Sequence, residues 1–200
     1  MKLLERLRQL RREAKERGEP VLRDLSFDLL LRTAGEKQPE SILEIGVNEG
    51  LSGTAMLLAC ENARLTGIEI DETKALKARE NYRVFGVSDR AKIFLGNASE
   101  IVPLLSGRYD FIFLDGPKGH YGEYCDYLIS ALNVGGVLFA DNVLYRGYIG
   151  KDRAVPHKHA TIKHSIESFL NRVTGDESLK TVVYDIEDGV SITEKLYEKD

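Results

Sequence analysis

The sequence predicts an α/β fold: a Rossmann-like, doubly wound, mostly parallel seven-stranded sheet with a C-terminal antiparallel hairpin. Short apolar runs alternate with helical segments along the chain, which is typical of parallel α/β sheets. Several of these runs are continuously apolar, as expected for strands buried on both faces. The last two runs flank Glu187-Asp188-Gly189, a turn signal that favours a hairpin.

Two amphipathic helices are predicted before the first strand. Leucines recur at helical spacing in both of them: Leu3, Leu7 and Leu10, then Leu22, Leu25 and Leu29. The break at Gln38-Pro39 ends the second helix. We expect residues 1–200 to form one domain, in which residues 1–35 cap the functional site or contact a second subunit. The leucine face of the first helix can pack on a partner subunit as readily as on its own sheet, and we expect a homodimer.

Alternation of strand and helix follows. The predicted strands are 41–45, 64–70, 91–95, 111–114, 137–140, 181–184 and 190–193. Each of the first five is followed by a helical segment, and a last helix is predicted near 161–173. A chain of 200 residues with 42% hydrophobic content can bury a full core.

Composition excludes some classes of protein. The net charge is −4, although the first 18 residues hold seven basic and three acidic side chains. This balance argues against nonspecific duplex binding over the whole surface. No run approaches the about 20 apolar residues of a membrane span, and the first residues are too charged for a signal peptide. We therefore expect a cytoplasmic protein without a membrane partner. Cys60 and Cys125 have no metal or redox spacing and are predicted to be buried thiols.

Acidic residues end two of the apolar runs. Asp115 follows Phe111-Ile112-Phe113-Leu114, and Asp141 and Asn142 follow a run ending in Ala140. The carboxyl ends of parallel strands form the edge where such sheets bind ligands. Two carboxylates at this edge would repel each other unless a cation lay between them, and oxygen ligands suit Mg2+. The sequence thus predicts a metal site, whereas none of the four histidines has zinc-type spacing.

A nucleoside pocket is predicted at the first strand. Gly46 and Gly50 in the following turn allow the backbone to approach a ligand, and Glu69 ends the next strand, where it can accept from ribose hydroxyls. Dinucleotides and S-adenosyl-L-methionine (SAM) both fit this geometry. The turn reads G-x-x-x-G and carries Glu49, which suits a cationic sulfonium better than a pyrophosphate.

The chain resembles the metal-dependent class I O-methyltransferases, which include catechol and caffeoyl-coenzyme A O-methyltransferases and bacterial tRNA 5-hydroxyuridine methyltransferases. Four motifs carry the resemblance: Leu43-Glu44-Ile45-Gly46 with Gly50 and Ser52; Gly67-Ile68-Glu69-Ile70-Asp71; Phe111-Ile112-Phe113-Leu114-Asp115 with Lys118 and Tyr121; and Ala140-Asp141-Asn142-Val143-Leu144 with Gly147. It extends from about Pro20 to Asp188-Gly189-Val190.

The resemblance implies two cofactors, SAM and Mg2+ (or Mn2+). It implies that Asp115, Asp141 and Asn142 hold the metal and that Lys118 is the catalytic base. On the cofactor side, it implies contacts with the methionine end, the ribose and the adenine of SAM from Glu44, Gly46, Asn48, Gly50, Ser52, Glu69, Asn97, Ala98 and Asp115.

The resemblance implies that the acceptor is an acidic hydroxyl beside a second oxygen, with 5-hydroxyuridine in tRNA ahead of a small catechol-like aromatic. A basic stretch, Lys151 to His159 with Lys163 and His164, favours the RNA. Its lysines, Lys158 among them, would contact phosphates, and Tyr121 or Tyr145 would stack on a base. Arg146 and Tyr148 would help to cover the acceptor. The alternatives are a nicotinamide-dependent oxidoreductase and a noncatalytic RNA-binding or partner-binding module.

Overall fold

The computed structural model describes residues 2–150 and 155–199. In this part of the chain the helices are α1 (Lys2–Glu16), α2 (Asp24–Lys37), α3 (Leu51–Ala59), α4 (Glu72–Val84), α5 (Ala98–Ile101), α6 (Tyr121–Ala131) and α7 (His157–Gly175). The strands are β1 (Ser41–Ile45), β2 (Arg64–Glu69), β3 (Ala91–Leu95), β4 (Tyr109–Leu114), β5 (Leu132–Asp141), β6 (Leu179–Tyr184) and β7 (Val190–Lys195).

The described strands form one sheet in the order β3-β2-β1-β4-β5-β7-β6. Strands β1 to β5 pair in parallel, whereas β7 is antiparallel to both β5 and β6. The predicted mostly parallel sheet with a C-terminal antiparallel hairpin is therefore confirmed. Ile45 at the end of β1 is level with Ile68 of β2 and Leu114 of β4, which brings these strand ends to one edge.

Strand positions agree with the predictions more closely at some ends than at others. The predicted strands 41–45 and 91–95 have the observed bounds, but β5 begins at Leu132, five residues before the expected start. Leu132 pairs with Tyr109, and the register then shifts before the pair Phe111 and Val137. This irregular pairing carries the strand through Gly135 and Gly136, which precede the predicted start of the strand at residue 137.

Alternate strand residues pack against helices on opposite faces of the sheet. Phe111, Phe113 and Phe139 are buried in a core with residues of α1 to α4. Ile112 and Leu138 are buried in a second core with residues of α5 to α7. Because both faces are covered, the polar strand-end residues emerge only at the edges of the sheet.

The segment joining α1 to α2 crosses the carboxyl edge of the sheet. Arg17 forms an ion pair with Glu49, with 2.8 Å between Nη2 and Oε2. Glu19 is paired with Lys74 of α4, and the Pro20 carbonyl accepts from the Asn48 side chain. Three polar contacts thus hold this connection over the strand ends.

None of the helices among the described residues has the length and apolar character that a membrane span requires.

Candidate active site

A cavity of about 360 Å³ lies at the carboxyl ends of β1, β2 and β4. Residues predicted to bind the cofactor line it: Gly46, Asn48, Glu69, Asn97, Ala98 and Asp115. Lys118 lines it as well. A smaller adjoining cavity is lined by Ser52 and shares Gly46, Asn48 and Asp115 with the first. Four strands and loops that are distant in sequence therefore contribute to one recess.

Gly46 allows the turn after β1 to lie against the end of β4. Its φ of +89° is in the left-handed region, and a Cβ at this position would lie 2.5 Å from the Asp115 carbonyl oxygen. Any other residue would therefore push the two strand ends apart. The close approach makes Asp115 a wall residue of the cavity that the turn encloses.

Glu69 is fixed at the cavity wall by backbone donors. Its Oε1 accepts from the amides of Ile70 and Asp71 at 2.9 and 3.0 Å, and its Oε2 accepts from the Asn48 amide at 2.6 Å. A carboxylate has about four acceptor sites, so Glu69 keeps capacity for a donor on a ligand. Its position is compatible with the predicted ribose contact.

Asn48 presents an unpaired acceptor. Its backbone is left-handed, with φ of 50°, and its side-chain nitrogen, Nδ2, donates to the Pro20 carbonyl. Its Oδ1 is buried and has no hydrogen-bond partner in the described part of the chain. A buried acceptor without a partner is costly in an empty cavity and is satisfied when a ligand supplies a donor.

Glu49 does not have the role that the sequence pattern suggests. Its carboxylate is paired with Arg17, and Asn81 donates to its backbone carbonyl at 2.7 Å. Glu49 lines the smaller cavity, but because the Arg17 guanidinium offsets its charge, its carboxylate would attract a sulfonium less strongly than an unpaired carboxylate.

Glu44 and Gly50 line neither cavity, contrary to the predicted contacts with the cofactor. Glu44 is fully buried beneath Gly53 of α3, and burial raises the pKa of its carboxyl well above the usual range, assisted by the charges of Asp115 and Glu69. A Cβ on Gly50 would lie 2.9 Å from that of Ala78, so this glycine is required for packing of α3 on α4.

The predicted metal ligands lie beside the cavity. The Lys118 ammonium is 2.9 Å from Oδ1 of Asp115. Asp141 is 3% exposed, and its Oδ1 is buried without a hydrogen-bond partner among the described residues. Burial raises the pKa of Asp141 to about 7; the Asp115 charge adds to this, and the Lys118 charge opposes it. A cation bound here would relieve the cost of both carboxylates.

Asn142 follows Asp141 in a strained loop. Asn142, Tyr145 and Arg146 have positive φ angles of 60°, 35° and 56°, which non-glycine residues rarely adopt. Such backbone strain is commonly retained at functional sites. The candidate metal ligands, Asp115, Asp141 and Asn142, are two carboxylates and one amide. Among the described residues, no group of three or more His, Cys, Asp or Glu side chains could hold a metal ion.

The turn between β6 and β7 supports this loop. The amides of Val143 and Leu144 donate to the carbonyls of Gly189 and Asp188 at 3.0 and 2.9 Å. The Arg146 amide donates to the Asp188 carboxylate. The sequence pattern identified this turn only as a hairpin, because hydrogen bonds to a distant loop leave no periodic signal.

The residues predicted to contact the acceptor differ in their burial. Tyr121 is fully buried, and its hydroxyl lies against backbone carbonyls, so the prediction that it stacks on a base is wrong. Tyr145 is 9% exposed; its hydroxyl is 2.8 Å from Nδ1 of His159, whose ring also stacks on Tyr148. Arg146 and Lys158 are exposed. Residues 151–154 of the predicted basic stretch lie outside the described residues.

The strand order and a cavity at the carboxyl edge define a Rossmann-like α/β protein of the nucleoside-binding kind. The family model described as O-methyltransferase matches residues 4–196. The chain belongs to the O-methyltransferase family, as the sequence motifs predicted.

Individual relatives agree with this assignment. Tricin synthase 2 of Oryza sativa subsp. japonica is 28% identical over 85% of this chain, and catechol O-methyltransferase of Niastella koreensis is 33% identical over 56% of it. These matches cover 60% and 53% of the two relatives, less than two thirds of their length. The methyltransferase PaMTH1 of Podospora anserina, whose crystal structure holds SAH (S-adenosyl-L-homocysteine), superposes on this chain with a TM-score of 0.78. The two sequences are 25% identical, and the superposition covers 100% of this chain and 87% of PaMTH1.

The raised pKa of Asp141 predicts a pH-dependent stability in metal-free protein. The folded state binds a proton more tightly than the unfolded state, whose carboxyl has a pKa near 3.8, so this stabilisation is present at low pH and is lost as the pH rises from 4 to 7. Between pH 5 and 8, wild type should lose about 2.5 kcal/mol more stability than Asp141→Asn in urea unfolding with EDTA.

The exposed Asp89→Asn serves as the control and should behave as wild type. Equal pH dependence of wild type and Asp141→Asn would show that Asp141 ionises normally in the folded protein.

Proposed function

We propose that this protein is a SAM-dependent and divalent-metal-dependent O-methyltransferase that acts on an acidic hydroxyl next to a second oxygen. The observation that carries the proposal is the position of Asp115. This residue lines both cavities, is ion-paired with Lys118, and lies close enough to Asp141 to raise its pKa. A cofactor pocket and a cluster of oxygen ligands thus share one carboxylate.

The cavity has the properties expected of a SAM pocket. Its volume falls in the ordinary range for small-molecule sites. Glu69 offers acceptor capacity for ribose hydroxyls, and the unpaired Asn48 Oδ1 can accept from an ammonium. Family membership and the SAH bound to PaMTH1 favour SAM over a nicotinamide dinucleotide. The oxidoreductase alternative has no comparable support.

The donor set suits a hard divalent cation. Asp115, Asp141 and Asn142 would hold the metal through oxygen atoms, the ligands that Mg2+ and Mn2+ prefer. The orphaned Asp141 Oδ1 and the repulsion between the two carboxylates support this assignment. A bound ion supplies Lewis acidity to an acceptor oxygen and orients its neighbour.

The remaining chemistry belongs to side chains. Methyl transfer from a sulfonium neutralises charge, so positioning and exclusion of water contribute more than a strong base. Lys118 lines the cavity beside Asp115. After its ammonium has released a proton to solvent, the neutral amine can take up the proton that leaves the acceptor hydroxyl. The contact with Asp115 holds the lysine amine beside the cavity.

Two acceptors present the required pair of oxygens. Two of the relatives, tricin synthase 2 and catechol O-methyltransferase, are named for small phenolic compounds, which favours a small phenol. The exposed side chains of His157, Lys158 and His164 at the start of α7 favour an anionic polymer, and so 5-hydroxyuridine in tRNA. The covered Tyr145 ring would have to separate from His159 and Tyr148 before it could stack on either acceptor.

The acceptor is identified by methyl transfer from labelled SAM in two parallel reactions. One contains bulk tRNA bearing unmethylated 5-hydroxyuridine, and the other contains a panel of catechols, each with Mg2+ and with chelator. We expect label to enter an acceptor with Mg2+ and to fall at least a hundredfold with chelator, because the metal both acidifies and orients the hydroxyl.

Label in the tRNA reaction would assign a role to the basic residues of α7, whereas label only in the catechols would establish a small-molecule enzyme. Transfer that persists in chelator would contradict the metal requirement. Bound SAM without transfer to either acceptor would contradict both acceptors and favour a noncatalytic binding module.

Lys118→Gln tests the assignment of the base. We expect kcat to fall by about 10² to 10⁴, the usual contribution of a positioned acid or base. SAM binding measured by calorimetry should change only a few fold, since the amide still fits the cavity wall. Lys180→Gln, an exposed lysine of β6, removes the same charge far from the site and should leave kcat unchanged. An unchanged kcat in Lys118→Gln would exclude Lys118 as the base.

A further inference from the structure

Tyr121 joins the ends of the two strands that carry the candidate metal ligands. It is the first residue of α6 and is fully buried. Its hydroxyl lies 3.2 Å from the carbonyl oxygen of Leu114 and 3.1 Å from that of Asp141. One of these carbonyls immediately precedes Asp115, and the other belongs to Asp141 itself. The hydroxyl proton is therefore shared between the backbones of both carboxylate residues.

Backbone hydrogen bonding between β4 and β5 stops just before the carboxylates. The last pair in the register is Leu114 with Ala140. Beyond it the strands diverge, since the Asp115 amide donates to Ile45 of β1 at 3.0 Å, whereas Asp141 pairs with Val190 of β7. The Tyr121 hydroxyl bridges the two backbones at this point of divergence.

The tyrosine is held rigidly enough to act as such a bridge. Its ring packs edge to face on Phe169 of α7, with 5.7 Å between the ring centroids and an interplanar angle of 66°. Burial, together with the charges of Asp115 and Asp141, raises the pKa of Tyr121 well above its usual value. The shift favours the protonated hydroxyl, which is the form that donates to the two carbonyls.

We propose that Tyr121 is a positioning residue of the metal site: by tying the Leu114 and Asp141 carbonyls together, its hydroxyl sets the separation of the Asp115 and Asp141 side chains. This inference rests on the proposed metal dependence. In metal-free protein the two carboxylates repel each other, and the bridge opposes the parting of the strand ends. Ligands already at the correct separation bind a cation without the cost of bringing them together.

One short segment, residues 115–121, supplies three side chains of this arrangement. Asp115, Lys118 and Tyr121 follow one another at intervals of three residues, through a 3-10 turn that leads into α6. A ligand, the residue paired with it and the bridging hydroxyl are thus positioned by one short piece of backbone. The bridge between the two carbonyls thus gives Tyr121 a role that requires no contact with the acceptor.

Tyr121→Phe removes only the hydroxyl, and Tyr124→Phe is its matched control. Tyr124 lies on the same helix and is 1% exposed, and its hydroxyl pairs with Ser99 at 3.2 Å instead of bridging the Leu114 and Asp141 carbonyls. Mn2+ affinity is measured by the loss of the free-ion EPR signal, in the presence of SAM. Unfolding in urea with EDTA shows that each variant is folded and how much stability it has lost.

We expect Tyr121→Phe to weaken Mn2+ binding by about tenfold or more, the range found when partners of metal ligands are removed. Tyr124→Phe should bind Mn2+ within twofold of wild type, although both variants lose a buried hydrogen bond. Raising Mn2+ to saturation should restore the kcat of Tyr121→Phe, because the hydroxyl does not take part in the methyl transfer.

Mn2+ affinity of Tyr121→Phe within twofold of wild type would overturn the positioning role and leave the metal proposal standing. Equal weakening by Tyr124→Phe would overturn it too, since the effect would then come from general loss of stability. Wild type that fails to bind Mn2+ would overturn the metal dependence itself, and with it this inference.

Discussion

Repulsion between two strand-end carboxylates, the partly exposed Asp115 and the buried Asp141, is the interaction on which the organisation of this edge of the sheet depends. The Asp115 charge and burial together raise the pKa of Asp141 to about 7, and the Lys118 charge opposes this shift. The surrounding structure keeps the pair in place: Tyr121 bridges the strand ends, and the β6–β7 turn holds the loop after Asp141. A site that keeps like charges together in the absence of a ligand is prepared for a cation.

The strand order explains why the cofactor cavity and this carboxylate pair are contiguous. Because β1 lies between β2 and β4, the turn containing Gly46 packs against the backbone of Asp115, while Glu69 closes the opposite side of the cavity. Since β5 lies beyond β4, Asp141 emerges next to Asp115 and away from the cavity. The proposed methyl donor and acceptor would therefore meet at Asp115 and Lys118, between the two halves of the edge.

The sequence predicted what depends on local pattern. Continuous apolar runs identified buried parallel strands, and strand ends identified Glu69, Asp115 and Asp141, because a side chain at a strand terminus needs only the strand to be placed. Contacts between distant segments were missed. Pro20 meets Asn48 across 28 residues, and Arg17 neutralises Glu49 across 32. Neither contact leaves a periodic trace. Tyr121 was assigned to the acceptor because a tyrosine near a site suggests stacking, whereas its burial depends on Phe169 of α7.

Anomalous diffraction from crystals grown with Mn2+ and SAM would show whether a divalent ion binds between the ends of β4 and β5. We expect one anomalous peak within coordination distance of oxygen atoms of Asp115, Asp141 and Asn142, with SAM in the cavity beside it. Crystals with SAM bound and no peak between these residues, or with the ion held elsewhere, would contradict the account.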